Sequence, residues 1–134
     1  MYGHLKTAVK ELASALAARG QKVSIFDLAR DDMSEAVEDA FRYDRLVLAS
    51  VTYQGEIFPF MSTFIHTLAE HAYQNRTVAL VEAGSWAPAA AKVMTKELEG
   101  MKDITLTQNK VTVLGSLNDV SRAQIEALAD ELSK

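Results

Sequence analysis

The 134 residues suffice for one compact domain with a sizeable buried core. With 49% hydrophobic and 24% charged residues the composition is that of an ordinary globular protein, and a net charge of −4 without any Lys/Arg cluster speaks against nucleic acid or an anionic membrane as a partner. The absence of cysteine excludes disulfides, thiolate metal sites and cysteine nucleophiles, and no apolar run approaches the roughly 20 residues that span a bilayer.

The N-terminus enters directly into an amphipathic helix, with no secretory signal, so a cytoplasmic setting is expected. Leu5, Ala8, Val9, Leu12 and Leu16 recur at helical spacing, and Gly20 follows as a stop. Val23-Ser24-Ile25-Phe26-Asp27-Leu28 is short and rich in β-branched and aromatic residues, which predicts a strand. Ser34 is the expected cap of a second helix with Met33, Val37, Ala40 and Phe41 inward. Leu46-Val47-Leu48-Ala49 is apolar without alternation, the signature of a parallel strand covered on both faces.

A loop from Ser50 to Phe58 leads to Pro59, well suited to the first turn of a third helix, with Met61, Phe64, Ile65, Leu68 and Ala72 as its buried stripe. Val78-Ala79-Leu80-Val81 is a second continuous apolar strand. The loop Glu82 to Ala87 precedes Pro88 and a helix to about Met101. Ile104–Leu106 and Val111–Leu114 form a last strand, interrupted by the polar Gln108-Asn109-Lys110. Ser121 with Gln124 reads as a capping box for a final helix whose inner residues include Ile125, Leu128 and Leu132.

Alternation of helix and strand across residues 1–134, without repeat or linker, predicts a single α/β domain with a mostly parallel sheet and helices on both faces. Such sheets bind ligands at the carboxyl ends of their strands. The segments of interest are therefore Ser50–Phe58, Glu82–Pro88 and the turn opening the first helix.

Those segments resemble the flavodoxin-like, FMN-binding C-terminal domain of flavodiiron proteins (A-type flavoproteins). Met1-Tyr2-Gly3-His4 is similar to the end of that family's phosphate loop, Ser-Met-Tyr-Gly-Asn-Thr. Ser50-Val51-Thr52-Tyr53-Gln54-Gly55-Glu56-Ile57-Phe58-Pro59 is similar to its Ser-Pro-Thr-Tyr-Asn…Ile-Phe-Pro loop. Glu82-Ala83-Gly84-Ser85-Trp86-Ala87-Pro88 resembles a Glu-Asn-Gly-Ser-Trp-Ala-Pro loop of one branch. The likeness runs from Met1 to the final helix and implies a flavodoxin-like three-layer sandwich with a parallel sheet of order 2-1-3-4-5. The first, central strand of that order is missing from this chain, which is truncated at the N-terminus relative to the family. Leu5 stands where the family has Thr, removing a hydroxyl that would meet the phosphate; Val51 replaces a proline and Ala83 an asparagine.

The resemblance implies FMN as cofactor, with the flavin ring between the second and third loops. Tyr2, Gly3 and His4 would offer the phosphate a helix N-terminus, where free N–H groups and the dipole hold an anion without Lys or Arg; the plain alternative is a frayed terminus. Ser50 and Thr52 suit phosphate or ribityl oxygens, or are turn residues. Trp86, the only tryptophan, sits in a Gly-Ser loop and is the leading stacking wall, with Tyr53 the second; Gln54, Gly55, Gly84 and Ser85 complete the slot. Glu82 ends a buried strand and is read as structural. His66 and His71, five apart, do not share a helix face and are read as solvated rather than metal-binding. Asp31, Asp32, Glu35, Glu38 and Asp39 are read as a solvated helix face, with guidance of an electropositive redox partner as the alternative.

In the full-length family a diiron domain reduces dioxygen or nitric oxide; none of it is in this sequence, whose histidines are His4, His66 and His71. The expected function is electron transfer from a redox partner such as rubredoxin or a flavin reductase to a diiron or other acceptor, within a homo-oligomer, with no catalytic residue in this chain. The alternative is a flavin-free remnant serving as a structural or dimerisation domain. A phosphorylatable receiver would need an Asp after the strand ending at Ala49, where Ser50-Val51 stands instead.

Overall fold

The structure is a computed structural model that describes residues 2–28, 31–43, 45–51, 59–71, 73–84, 90–99, 101, 103–114 and 118–133. Its sheet is built on β2 (Arg76–Gly84), the longest strand. β1 (Arg45–Val51) pairs with one edge of β2 in parallel, from Arg45↔Thr77 to Val51↔Ala83. The other edge is shared: β3 (Ile104–Leu106) pairs in parallel with its first three residues and β4 (Val111–Leu114) with Val81 to Gly84. Between these two, Thr107 N–H still donates to the Val78 carbonyl at 3.0 Å. β3 and β4 are thus one interrupted strand, as the polar Gln108-Asn109-Lys110 predicts.

Helices cover both faces. On one lie α1 (Tyr2–Ala18) and α5 (Asp119–Leu132), whose Leu5, Ala8, Leu12, Ile125 and Leu128 pack on Ala79, Val81, Val111 and Val113. On the other lie α2 (Met33–Arg42), α3 (Pro59–Glu70) and α4 (Ala90–Leu98), where Phe64, Ile65, Leu68 and Met94 meet Leu48, Val78 and Leu80. The architecture is the flavodoxin-like α/β sandwich. The stripes expected for α3 and α5 are the ones buried, apart from Met61, which is half-buried, and Ala72, outside the described residues. Gly20 ends α1 with φ +81°: its N–H donates to the Ala17 carbonyl and that of Gln21 to Leu16, both at 3.0 Å, a paired closure that a left-handed residue allows.

Five expectations are corrected. Residues 23–28 form no strand, because no strand pairs with them among the described residues. Val9 is only half-buried, since it faces that same open region. Asp32, not Ser34, caps α2, its carboxylate accepting the Ser34 N–H at 2.9 Å. The capping box of α5 is Asn118 with Ser121, three residues earlier than expected; Gln124 instead accepts the Thr112 N–H at 2.9 Å. Both rim loops also begin later: Ser50 and Val51 belong to β1, and Glu82, Ala83 and Gly84 to β2.

Candidate functional site

The polar contacts between elements fix their directions. Glu131, near the end of α5, accepts the N–H groups of Gln108 and Asn109 just before β4, while Gln124, earlier in the helix, accepts that of Thr112 within it. α5 therefore runs against the strands. α1 runs beside α5 in the same sense, with Arg122 Nε 3.6 Å from Glu11 and Arg19 reaching Glu126 at 2.7 Å and Asp130 at 2.8 Å. The first turn of α1 consequently stands at the carboxyl ends of the strands. This is the rim from which the chain leaves β1 after Val51 and β2 after Gly84.

Three segments singled out in the sequence thus converge on one rim. The backbone of Tyr2, Gly3 and His4 forms the first turn of α1, so the helix starts ahead of Gly3 rather than after it; the side chains of these three are outside the described residues. First-turn N–H groups have no intrahelical acceptor and sit at the positive end of the helix dipole, which is what an anion requires. Ser50 is buried, and its Oγ donates to the Val51 carbonyl at 3.1 Å. Gly84 is the last residue of β2, in register with Leu114. Because Val51 pairs with Ala83, the described ends of β1 and β2 lie side by side. Thr52, Tyr53, Gln54, Gly55, Ser85 and Trp86 lie outside the described residues.

Below this rim sits Glu82, only 3% exposed. One oxygen accepts the Ala91 N–H at 3.0 Å; the other accepts the Thr112 hydroxyl at 2.9 Å and lies 3.4 Å from Lys110 Nζ. The structural reading of Glu82 holds: it ties β2 to the first turn of α4 and to β4. Thr112 was not singled out in the sequence, although a lone polar residue in Val-Thr-Val-Leu is the signal that would have found it.

Of the five acidic residues of the α2 region, Glu35 and Glu38 are exposed and three are engaged locally. Asp31 accepts the Asp27 N–H at 2.6 Å, Asp32 caps the helix and Asp39 pairs with Arg42 at 3.2 Å. His66 Nε2 lies 3.8 Å from Glu97 and is largely exposed; His71 is exposed as well. Among the described residues no group of three His, Asp or Glu could hold a metal ion, and no helix is long and apolar enough to cross a membrane. On the far side, the hydrogen bonds that Arg19 donates to Glu126 and then to Asp130 hold its guanidinium above its usual pKa.

No protein-family profile and no curated protein matches the sequence. Solved structures do match. The rubredoxin:oxygen oxidoreductase of Desulfovibrio gigas superposes with a TM-score of 0.91 at 16% identity, over 99% of this chain and 33% of that one. A flavodoxin from the domain Archaea gives 0.83 at 14% identity, over 99% of this chain and 90% of its own. A Streptococcus pneumoniae flavodoxin gives 0.80 at 21% identity, over 99% and 92%. The chain thus spans about a third of the length of the oxidoreductase and about nine tenths of the flavodoxins.

Proposed function

We propose that this chain, whose fold is flavodoxin-like, is an FMN-binding electron-transfer module of a flavodiiron-type oxidoreductase. The reading is carried by the convergence of the first turn of α1 with the ends of β1 and β2 on one rim, in the order that the sequence resemblance requires. Its fit to FMN rests on that helix terminus, which suits a phosphate without any basic side chain.

In this reading the backbone of Tyr2, Gly3 and His4 holds the phosphate. Ser50 and Thr52 supply oxygens near the ribityl chain. Tyr53, Gln54 and Gly55 form one wall of the ring slot and Gly84, Ser85 and Trp86 the other, the aromatic faces excluding water. FMN, when bound, supplies the electron transfer itself. The chain orients the ring and sets its surroundings, and no acid, base or nucleophile is needed. The likeness to the rubredoxin:oxygen oxidoreductase of Desulfovibrio gigas favours rubredoxin as donor; a flavin reductase as the other donor, a diiron domain as acceptor and a cytoplasmic homo-oligomer are what the sequence resemblance implies.

Titration with FMN, followed by flavin fluorescence, tests the reading. Saturable quenching is expected, weakened about fivefold in Trp86→Ala through loss of a stacking contact of roughly 1 kcal/mol. Absence of saturation at high micromolar FMN would sink it. The second reading, a flavin-free structural or dimerisation domain, would then stand, favoured by the position of β1 at the edge of the sheet among the described residues.

A further inference from the structure

Among the described residues three polar side chains are buried, those of Ser50, Glu82 and Ser121, and Glu82 is the one that carries a charge. Ser50 is the register partner of Glu82 across β1 and β2, and Thr112 is its partner across β2 and β4. Side chains alternate between the faces of a strand, so Leu48 and Leu80, which pack beneath α2, α3 and α4, place Ser50 and Glu82 on that same face. A polar row thus crosses three strands two residues before β2 ends at Gly84, about 7 Å below its end. The bonds of Glu82 explain where its side chain points but not why it is an acid. A glutamine could accept the Ala91 N–H and turn its amide toward the Thr112 hydroxyl, which accepts as well as donates. A carboxylate carries a desolvation cost that an amide avoids. Lys110 lies 3.4 Å away, but its side chain is 57% exposed and that of Glu82 only 4%, so water screens the cation more than the anion. A net negative field remains inside the sheet, just below the rim.

From this placement we infer that the Glu82 carboxylate makes the rim bind reduced FMN more weakly than oxidised FMN, with Lys110 offsetting part of its charge. The inference rests on the FMN reading above and adds to it a residue that acts through its field rather than by contact. Reduction brings electrons to the ring, and an electron not followed by a proton leaves the ring more negative. A fixed anion nearby opposes that form and leaves the neutral oxidised ring unaffected. At an effective dielectric of about 20, a unit charge roughly 12 Å away changes such an equilibrium about tenfold. The depth of Glu82 below the end of β2 puts the rim within that range. Weaker binding of the reduced form is a lower midpoint potential, and so a stronger drive to pass electrons on. The same carboxylate that ties β2 to α4 and β4 would in this way also set the electronic surroundings of the site.

The test uses the full 134-residue chain, titrated with oxidised FMN by fluorescence and then poised with dithionite against a redox dye to read the midpoint potential. Glu82→Gln should lower the ratio of the reduced to the oxidised dissociation constant about tenfold, a rise of about 30 mV for a two-electron couple. Lys110→Met should move the potential the other way and by less, and this shift should fade at about 1 M salt, where the screening length is about 3 Å. Thr112→Val removes a hydrogen bond to the same carboxylate but keeps its charge, and should leave the ratio within about twofold. A role confined to shape predicts instead that both forms of FMN weaken together, with no change in potential. An unchanged ratio in Glu82→Gln, a shift in Thr112→Val as large as that in Glu82→Gln, or a potential that Lys110→Met raises or leaves in place overturns the inference. If Glu82→Gln does not fold, the sign of the Lys110→Met shift decides. A native chain that takes up no FMN is a separate outcome, which overturns the FMN reading and this inference with it.

Discussion

The Glu82 carboxylate accepts the Ala91 N–H at 3.0 Å, joining the end of the central strand to the first turn of α4. A buried acid at a strand end is costly unless its oxygens are satisfied, and here both are, by Ala91 and by Thr112. The bond joins the two described elements, β2 and α4, that precede and follow Trp86 in the sequence. Glu82→Ala is expected to cost about 1.5–3 kcal/mol, since it strips partners from a buried N–H and hydroxyl. Glu82→Gln keeps one acceptor and should cost about 1 kcal/mol. Urea unfolding at neutral pH measures both; equal losses would show that shape, not acceptance, matters here.

Arg76 closes α2. Its guanidinium donates to the carbonyls of Phe41 at 2.9 Å, Tyr43 at 3.0 Å and Gln74 at 2.6 Å, and lies 5.2 Å from the Tyr73 ring centroid. A cation at a helix carboxyl end favours the dipole, and only a planar fork reaches three carbonyls together. Arg76→Met should destabilise by about 2 kcal/mol, and Arg76→Lys should recover less than half of that. Paired denaturation curves decide it: full recovery by Lys would reduce the role to bare charge.

Arg19 bridges α1 to α5 through Glu126 and Asp130. Because these partners raise its folded pKa, its contribution is fully present below the unfolded value and is lost only as pH rises beyond the folded one. Arg19 should therefore give no pH dependence around neutrality, but a clear dependence on salt. The Tm difference between the native chain and Arg19→Met is expected to shrink between about 0.1 M and 1 M salt, where the screening length falls to about 3 Å. An unchanged difference would mean that packing of the stem, not charge, joins the helices.

Periodicity made α1, α3 and α5 and their buried stripes legible, because a helical stripe needs only its own sequence. The parallel strands were legible as cores without alternation, but their ends were not. Ser50, Glu82 and Gly84 look like loop residues and are strand residues, since the pairing of Ser50 with Glu82, of Glu82 with Thr112 and of Gly84 with Leu114 is a long-range fact. Residues 23–28 show the converse: the propensity is there, but among the described residues no strand pairs with them, so no ladder forms. The rim location of the site followed from the alternation of elements. The spatial order of its three segments needed the Glu11–Arg122 and Gln124–Thr112 contacts, which nothing in the sequence announces.

Asn118 opens α5 with its side chain accepting the Ser121 N–H at 3.0 Å, while Ser121 Oγ accepts the Asn118 N–H at 2.9 Å. Asn118→Ala should cost about 1 kcal/mol and Asn118→Asp nearly nothing, because an acid also suits a helix start. Ser121→Ala removes the reciprocal acceptor at a buried position and should cost at least as much. Thermal unfolding followed by circular dichroism is the measurement; a neutral Asn118→Ala would place the helix start elsewhere.

Leu48 and Ile25 contrast two apolar residues that line one cleft beside β1. Leu48 is 2% exposed and packs in the core beneath α2 and α3, whereas Ile25 is 54% exposed on an unpaired segment. Leu48→Ala should cost about 2–5 kcal/mol, the range for an emptied core position. Ile25→Ser should fall within about 0.5 kcal/mol of neutral, as surface changes do. If segment 21–28 instead contributed a paired strand to the free chain, Ile25→Ser would cost well over 1 kcal/mol, because β-branched side chains on a paired strand pack against cross-strand neighbours.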